Sequence, residues 1–442
     1  MKTDTARSIL YTITFLRREP LRDSIKFLER SQWWNSNKYR DYQEEKLNLL
    51  IRHAATHVPF YKNNIKNISD CGLKSLSSLP IIDKNILRNN VKQFIAIDYK
   101  EPTENAKTSG STGIPLHFPK SLKSSAFQRA AMYRGHLWHG IEPGAKEARL
   151  WGIPVNTSMR MRTRLNDIVL NRFREREYNI NPEVLDDFSI RLEKRKPVYL
   201  MGYTSMVTQY AKYLFDKGKD GRQFGLKMVK CTSETIHDGD REIIEKVFGC
   251  SLVGEYGAAE AGLIAFQCEK GSYHLMSDCC IVEFVEPQDS VGDPDLKEVV
   301  VTNLDNFALP VIRYRIGDYA IPSEDKCTCG RALPVVKKII GRVSDIIKAS
   351  DGRRWHSIIL YYIMKGLDEK NGGVAQFKVF QNNHNELDFL LVPNRKYLSS
   401  TEDYLRTKCL EHFGREFKIN IRISDYIPRE PSGKLRDFVS TI

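Results

Sequence analysis

The stretch of this chain best suited to chemistry is TSGSTGIP, residues 108–115, where four hydroxyl residues and two glycines share eight positions. Counted from Gly110, Pro115 stands where the second glycine of G-x-x-x-x-G-K-[ST] belongs, so the pattern is not a phosphate loop of that type. It is not the G-x-G-x-x-G dinucleotide fingerprint either. Two readings stay open. One is a plain surface turn. The other is an anion-cradling loop, in which glycines let backbone N–H groups converge on phosphates while Thr108, Ser109, Ser111 and Thr112 add hydroxyl donors. A second set is Cys268, His274, Cys327 and Cys329, in QCEKGSYHLMSD and DKCTCGR. Three thiolates and an imidazole make a closed, structural zinc-type set, with no position open for a water. The CxC step is tighter than the usual CxxC, and the alternative is four reduced side chains that never meet.

The chain that must position these groups has 442 residues, 41% apolar and 28% charged, with material for a sizeable core and more than one domain. Its net charge of +13 suits nucleic acid, a membrane surface or phosphate-bearing ligands, or is a solvated Lys/Arg surface, and does not choose among them. SILYTITFL, between Arg7 and Arg17, has no small-residue cleavage site and is too short to span a bilayer. We expect a packed helix there, with a basic segment lying on a membrane as the alternative, and a cytoplasmic protein with no transmembrane segment. In that compartment the nine cysteines are thiols or metal ligands.

The first hundred residues read as helical. RDYQEEKLNLLIRHAATH places Leu47, Leu50, Ile51 and Ala54 on one stripe, and VPFYK ends it. The runs 149–155, 196–203 and 226–232 read as buried strands, with helices at 205–215 and 240–248 between and after them. That alternation argues for an α/β body with a largely parallel sheet. From about 280 closely spaced strands form a β-rich subdomain, in which adjacent Cys279 and Cys280 are packing residues. After Gly341-Arg342 the pattern becomes a small mobile α+β domain. It comprises a hairpin in SDIIKASDGRRWH, a helix in HSIILYYIMKGL, paired strands QFKVFQ and LDFLLVP, a helix capped by Ser400 or Thr401, and KINIRIS as a last strand. The expected domains are 1–342 and 343–442.

Four further segments follow the loop in order: EYGAAEAG (255–262), RYRIGD (313–318), GRVSDII (341–347) and PSGKLR (431–436). With the loop they resemble the motifs of the adenylate-forming enzymes, the superfamily of acyl-CoA synthetases, luciferase and adenylation domains. HAATHVPFYK, LPIIDK, KCTSETI and CTCGR make the chain most similar to the phenylacetate–CoA ligase branch and its CapK-type relatives in capsular polysaccharide synthesis. The resemblance runs from about residue 40 to the C-terminus. It implies an AMP-forming ligase, in which a carboxylate attacks the α-phosphate of ATP and an acceptor then takes the acyl group. The acceptor it implies is CoA, or an amino sugar. A homodimer is also allowed.

By the same resemblance, Thr108, Ser109, Gly110, Ser111, Thr112 and Gly113 grip the β- and γ-phosphates, and Glu260 helps hold Mg²⁺. Ser233 and Glu234 sit at the adenine, Tyr256 and Gly257 line the adenine and acyl pocket, and Asp318 accepts hydrogen bonds from both ribose hydroxyls. Arg342 is a second ribose or phosphate contact. Lys434 swings in with the small domain to neutralise the α-phosphate and attacking carboxylate. The family's hinge residue falls on Ser344, where Asp or Lys is usual. Some members of the branch carry a C…H…CxC set, which supports Zn²⁺ at Cys268, His274, Cys327 and Cys329. A non-enzymatic basic protein binding nucleic acid or membrane is the alternative, without a recognised reader motif to support it.

Overall fold

The computed structural model describes residues 1–64, 72–108, 116–151, 157–175, 180–288, 294–343, 345–369, 372–430 and 433–442. Three helices open the chain: α1 (Thr3–Leu16), α2 (Leu21–Ser31) and α3 (Ser36–His57). Asn35 caps α3, its side chain accepting the Lys38 N–H at 2.9 Å. The α3 stripe Leu47, Leu50, Ile51 and Ala54 is fully buried, and Pro59 opens a separate short helix, Pro59–Asn64. A hairpin follows, β1 (Thr103–Lys107) and β2 (His117–Ser121), then the long helix Leu122–Leu137.

One eleven-stranded sheet organises what comes next. Its strands are β3 (Glu147–Leu150), β4 (Arg172–Arg174), β5 (Tyr199–Tyr203), β6 (Met228–Thr232), β7 (Ser251–Ala258), β8 (Gly262–Gln267), β9 (Tyr273–Leu275), β10 (Cys280–Val285), β11 (Lys297–Asn303), β12 (Tyr314–Pro322) and β13 (Val335–Arg342). They lie in the order β10-β11-β12-β13-β9-β8-β7-β6-β5-β3-β4. The pairs β4–β3, β3–β5, β5–β6 and β6–β7 are parallel, and β7–β8, β8–β9 and β9–β13 are antiparallel. β5 and β6 are buried along their whole length, as strands covered on both faces must be. The strands expected from about 280 are present and continue this same sheet.

The chain divides into two compact units. The first is Met1–Val285, Glu298–Ile316 and Ala320–Ile339; the second is Glu286–Lys297, Gly317–Tyr319 and Ile340–Ile442. The second unit has its own core, including Ile347, Leu360, Phe389, Leu405, Phe413 and Phe438. Its hairpin β14 (Ile346–Lys348) and β15 (Arg354–His356) and its helix Ile358–Glu369 occur where the sequence placed them. A four-stranded sheet holds β16 (Val374–Gln381), β17 (Glu386–Pro393), β18 (Lys418–Ile423) and β19 (Phe438–Ser440), in the order β18-β17-β16-β19. Two expectations change here. The helix Ser399–Phe413 is capped at Leu398, not at Ser400 or Thr401. Thr401 sits three residues in, and its Oγ1 accepts the Leu398 N–H at 3.3 Å. KINIRIS (β18) is not the last strand, because β19 adds in parallel beside β16.

Candidate active site and metal centre

The neck of the 108–115 loop is built by backbone pairing. Thr108 and Leu116 exchange an N–H···O bond of 3.0 Å, and the Thr108 hydroxyl accepts the Leu116 N–H at 3.0 Å. Thr108 is buried. Ser109, Gly110, Ser111, Thr112 and Gly113 lie outside the described residues.

Across the first unit, the C-terminal ends of the parallel strands carry the expected nucleotide residues, where open α/β sheets form ligand crevices. Ser233 follows β6 in a left-handed conformation, φ 72°, and is exposed. The Glu234 carboxylate accepts the Ser205 N–H at 2.8 Å, in the first turn of the helix Thr204–Asp216, where negative charge is favoured by the helix dipole. A bulge between Tyr256 and Gly257 bends β7. Gly257 is required there: a Cβ would come within 2.4 Å of the Gly262 carbonyl oxygen. Glu260, in the turn that follows, is buried, and its Oε1 accepts the Tyr314 hydroxyl at 3.1 Å. Sequence reasoning passed over Trp151 and Tyr203, whose rings stack at 4.2 Å, one just past the end of β3 and the other the last residue of β5. Their place at two adjacent strand ends was the signal available.

In the second unit Asp318 and Arg342 face each other, with Nε 3.5 Å from Oδ1. Lys434 follows a turn in which Gly433, φ 85°, donates its N–H to the Glu430 carbonyl at 2.7 Å. The Lys434 carbonyl accepts the Glu430 N–H at 3.0 Å. Arg436 of the same motif binds Asp345 at 2.8 Å. Ser344, the expected hinge, lies outside the described residues.

Cys268, His274, Cys327 and Cys329 converge in the first unit, their ligand atoms all within 4.8 Å of one another. Cys268 and Cys327 Sγ are 3.6 Å apart, and Cys329 Sγ is 3.2 Å from His274 Nε2. A tetrahedral zinc with bonds of about 2.0–2.3 Å spaces its ligand atoms by roughly 3.5–3.8 Å, so the set fits the ion. The surroundings fit too. His274 Nδ1 lies 2.9 Å from the Leu333 carbonyl, an arrangement that leaves Nε2 as the ligand atom. The Lys270 N–H donates to Cys268 Sγ and the Cys329 N–H to Cys327 Sγ, at 3.4 and 3.5 Å. Gly330, φ 80°, closes the CTCG turn.

Comparison with known proteins agrees with this architecture. The CapK C-terminal domain family matches residues 347–441. Protein CapK of Staphylococcus aureus is 23% identical over 422 residues, covering 92% of this chain and 90% of CapK. A phenylacetate-coenzyme A ligase of Thermus thermophilus is 22% identical over 343 residues, 70% of this chain and 72% of the ligase. The crystal structure of 2-hydroxyisobutyryl-CoA ligase in the postadenylation state superimposes with a TM-score of 0.73 at 18% identity, covering 93% of this chain and 91% of that one. No helix among the described residues is long and apolar enough to cross a membrane. Nothing in these likenesses supports a non-enzymatic protein that binds nucleic acid or membrane. Residues 347–441 thus match the CapK C-terminal domain, and the chain as a whole is similar in sequence to CapK and the phenylacetate-CoA ligases and has the fold of the adenylate-forming ligases.

Proposed function

We propose that this protein is an AMP-forming acyl ligase. The observation that carries the reading is the match of nearly the whole chain to an acyl-CoA ligase crystallised with its acyl-adenylate. In the first step a substrate carboxylate oxygen attacks the α-phosphorus of ATP, and pyrophosphate leaves. In the second a thiol or amine attacks the acyl carbon, gives up its proton, and AMP leaves. Two anions meet in the first step, so cations and fixed dipoles must receive the charge.

The residue roles belong to the same proposal. Thr108 to Gly113 hold the terminal phosphates of ATP. Glu260, fixed by the Tyr314 hydroxyl, takes a Mg²⁺ ion, which supplies further positive charge to the phosphates when bound. Ser233 and Glu234 contact the adenine, Tyr256 and Gly257 line the pocket, and Asp318 and Arg342 hold the ribose. Lys434 brings a compact charge to the α-phosphate. Cys268, His274, Cys327 and Cys329 hold a structural zinc that ties the β8–β9 turn to the segment before β13 and takes no part in the reaction.

The acceptor is CoA or the amine of a sugar. CapK matches this chain over nearly its full length, which favours the amino sugar, whereas the ligase relatives favour the thiol. Pyrophosphate release across a set of carboxylic acids, with CoA or an amino-sugar nucleotide added in turn, tests the reading. We expect release with one acid class and faster turnover with one acceptor. No release with any acid would overturn it.

A further inference from the structure

The packed helix expected at SILYTITFL is present, but it is packed along one face only. Ala6, Leu10 and Thr14 of α1 are buried, and Leu10 joins the core that holds Leu21, Ile25 and Leu28 of α2. The helix is fixed to the first unit and is no loose arm. A Cβ at Gly144 would come within 2.5 Å of the Arg7 backbone nitrogen and 2.8 Å of the Thr3 carbonyl oxygen. The opposite face, with Thr5, Ser8, Ile9, Thr12, Phe15 and Leu16, is exposed. Phe15 is 80% exposed and Leu16 73%, and no residue from Ser8 to Leu16 carries a charge.

The helix Thr157–Val169 is turned the same way. Its Asp167 points inward, where Arg172 and Arg174 hold the carboxylate at 2.5 and 2.8 Å. Met161, Leu165 and Ile168, at i, i+4 and i+7, face solvent, Ile168 with 69% of its surface exposed. A helix that served only the core would present that stripe inward. The two helices meet at Asn171. Its backbone N–H donates to the Ile168 carbonyl at 3.1 Å, and its side chain donates to the Met1 carbonyl at 3.2 Å. Single exposed apolar residues are ordinary, but a group of them on two neighbouring helices marks an interaction surface.

Charge says which partner fits. Among residues 1–31, Lys2, Arg7, Arg17, Arg18, Arg22, Lys26 and Arg30 outnumber Asp4, Glu19, Asp23 and Glu29. Two of these acids are neutralised within the fold. Asp4 pairs with Arg7 at 2.5 Å, and Glu19, with 1% of its side chain exposed, lies between Arg17 and Arg129. Glu142, beside α1, also pairs with Arg7. Arg18 and Arg22 are exposed just past the apolar end of α1, and Arg164 is exposed among Met161, Leu165 and Ile168. Set against them are Asp23 and Glu29, exposed on α2. A protein partner is met by a mixed patch with hydrogen bonds distributed through it. An uncharged helix face ending in Phe15-Leu16 and followed at once by Arg17-Arg18 instead matches the boundary between acyl chains and headgroups.

We infer that the outward faces of α1 and of the helix Thr157–Val169 form a docking surface for an anionic lipid bilayer. Phe15, Leu16, Leu165 and Ile168 enter the acyl boundary, and Arg18, Arg22 and Arg164 meet headgroup phosphates. The surface uses none of the residues assigned to adenylation or zinc and does not depend on those readings.

Vesicle flotation of the full chain tests it, with vesicles of equal parts phosphatidylcholine and phosphatidylglycerol against phosphatidylcholine alone. We expect binding to the mixed vesicles, weaker binding to phosphatidylcholine, and release as salt is raised. Phe15→Ser with Leu16→Ser should weaken binding about tenfold or more, with the parent's melting temperature because both positions are exposed. Leu165→Ser with Ile168→Ser should do the same. Arg18→Asn, which suits the left-handed φ of 58° there, combined with Arg22→Gln should weaken binding to mixed vesicles by about fivefold per cation removed. Leu398→Ser, at an exposed apolar position in the second unit, should bind as the parent does. No binding to the mixed vesicles, equal binding to both vesicle types, or unchanged affinity in both apolar double variants would each overturn the proposal. So would a dimer in solution that Phe15→Ser with Leu16→Ser splits while vesicle binding is unchanged, since the face would then belong to a second copy of the chain.

Discussion

At the Cys/His cluster four ligand atoms lie within 4.8 Å, drawn from residues 268–329 of one compact unit. The residues assigned to ATP are spread instead along the chain from Thr108 to Lys434. The first arrangement is complete in the folded chain. His274 is held by strand register, Cys268 and Cys327 by backbone N–H···S bonds, and Cys329 Sγ lies beside His274 Nε2. The second has its members poised on partners that are not substrate: Glu234 on Ser205, Glu260 on Tyr314, Asp318 on Arg342. On the proposed reading, a site that folds the protein and a site that turns over substrate differ in what completes them. Substitutions in the two regions should fail in different measurements.

The largest effect is expected at the cluster, and it should be read in stability. Structural zinc binding contributes directly to folding. Purified protein should carry about one zinc per chain. Cys327→Ser should lose it and lower the melting temperature by more than about 10 °C, on the scale of roughly 2–4 °C per kcal/mol for a unit of this kind. Adenylation by the fraction still folded should be unchanged. A metal-free preparation made without chelator, with the parent's melting curve, would remove the distinction between the two regions.

The next effect should appear in rate and leave stability untouched. If Lys434 meets charge that develops between carboxylate and α-phosphate, its contribution is made in the transition state and not in holding ATP. Loss of one such stabiliser costs on the order of 10²–10³ in rate, or roughly 3–4 kcal/mol. Lys434→Ala should therefore cut pyrophosphate release by about that factor with ATP affinity and melting temperature near those of the parent. Transfer from pre-formed acyl-adenylate should survive. An adenylation rate equal to the parent's would remove Lys434 from the mechanism.

Both regions were legible in the sequence to the extent that their chemistry is written in residue type. The four Cys/His residues were readable as a candidate set by residue type, against the alternative that they never meet, and their convergence across 61 positions comes with the antiparallel register of β9 with β13. The alternating strands and helices from 147 to 248 were readable because burial on both faces leaves apolar runs. What escaped depends on partners distant in the chain. β19 is three residues long and exists only because β16 offers it an edge. The cap at Leu398 was missed because the hydroxyl that serves it is Thr401, three residues inside the helix. Glu234 was readable as a family position, while its hold on the Ser205 N–H was not.

The smallest effect belongs to Asp318, and it sharpens the comparison because it lies between the other two in kind. Its carboxylate offers two acceptor oxygens, enough for both hydroxyls of one ribose, and Arg342 Nε stands 3.5 Å from one of them. The ribose 2′- and 3′-hydroxyls form and break no bond in the reaction at the α-phosphorus, so their contacts should be alike in ground state and transition state. Such uniform binding changes the Michaelis constant and not the turnover number. Asp318→Ala should thus raise the KM for ATP roughly tenfold, about 1.4 kcal/mol, with kcat within about twofold of the parent. Asp318→Asn, which keeps one acceptor, should fall between the two. Steady-state pyrophosphate release at varied ATP reads both constants. A fall in kcat with KM unchanged would move Asp318 from the nucleotide-holding group into the chemical step, beside Lys434. A collapse of the melting temperature would place it with the residues that hold the fold.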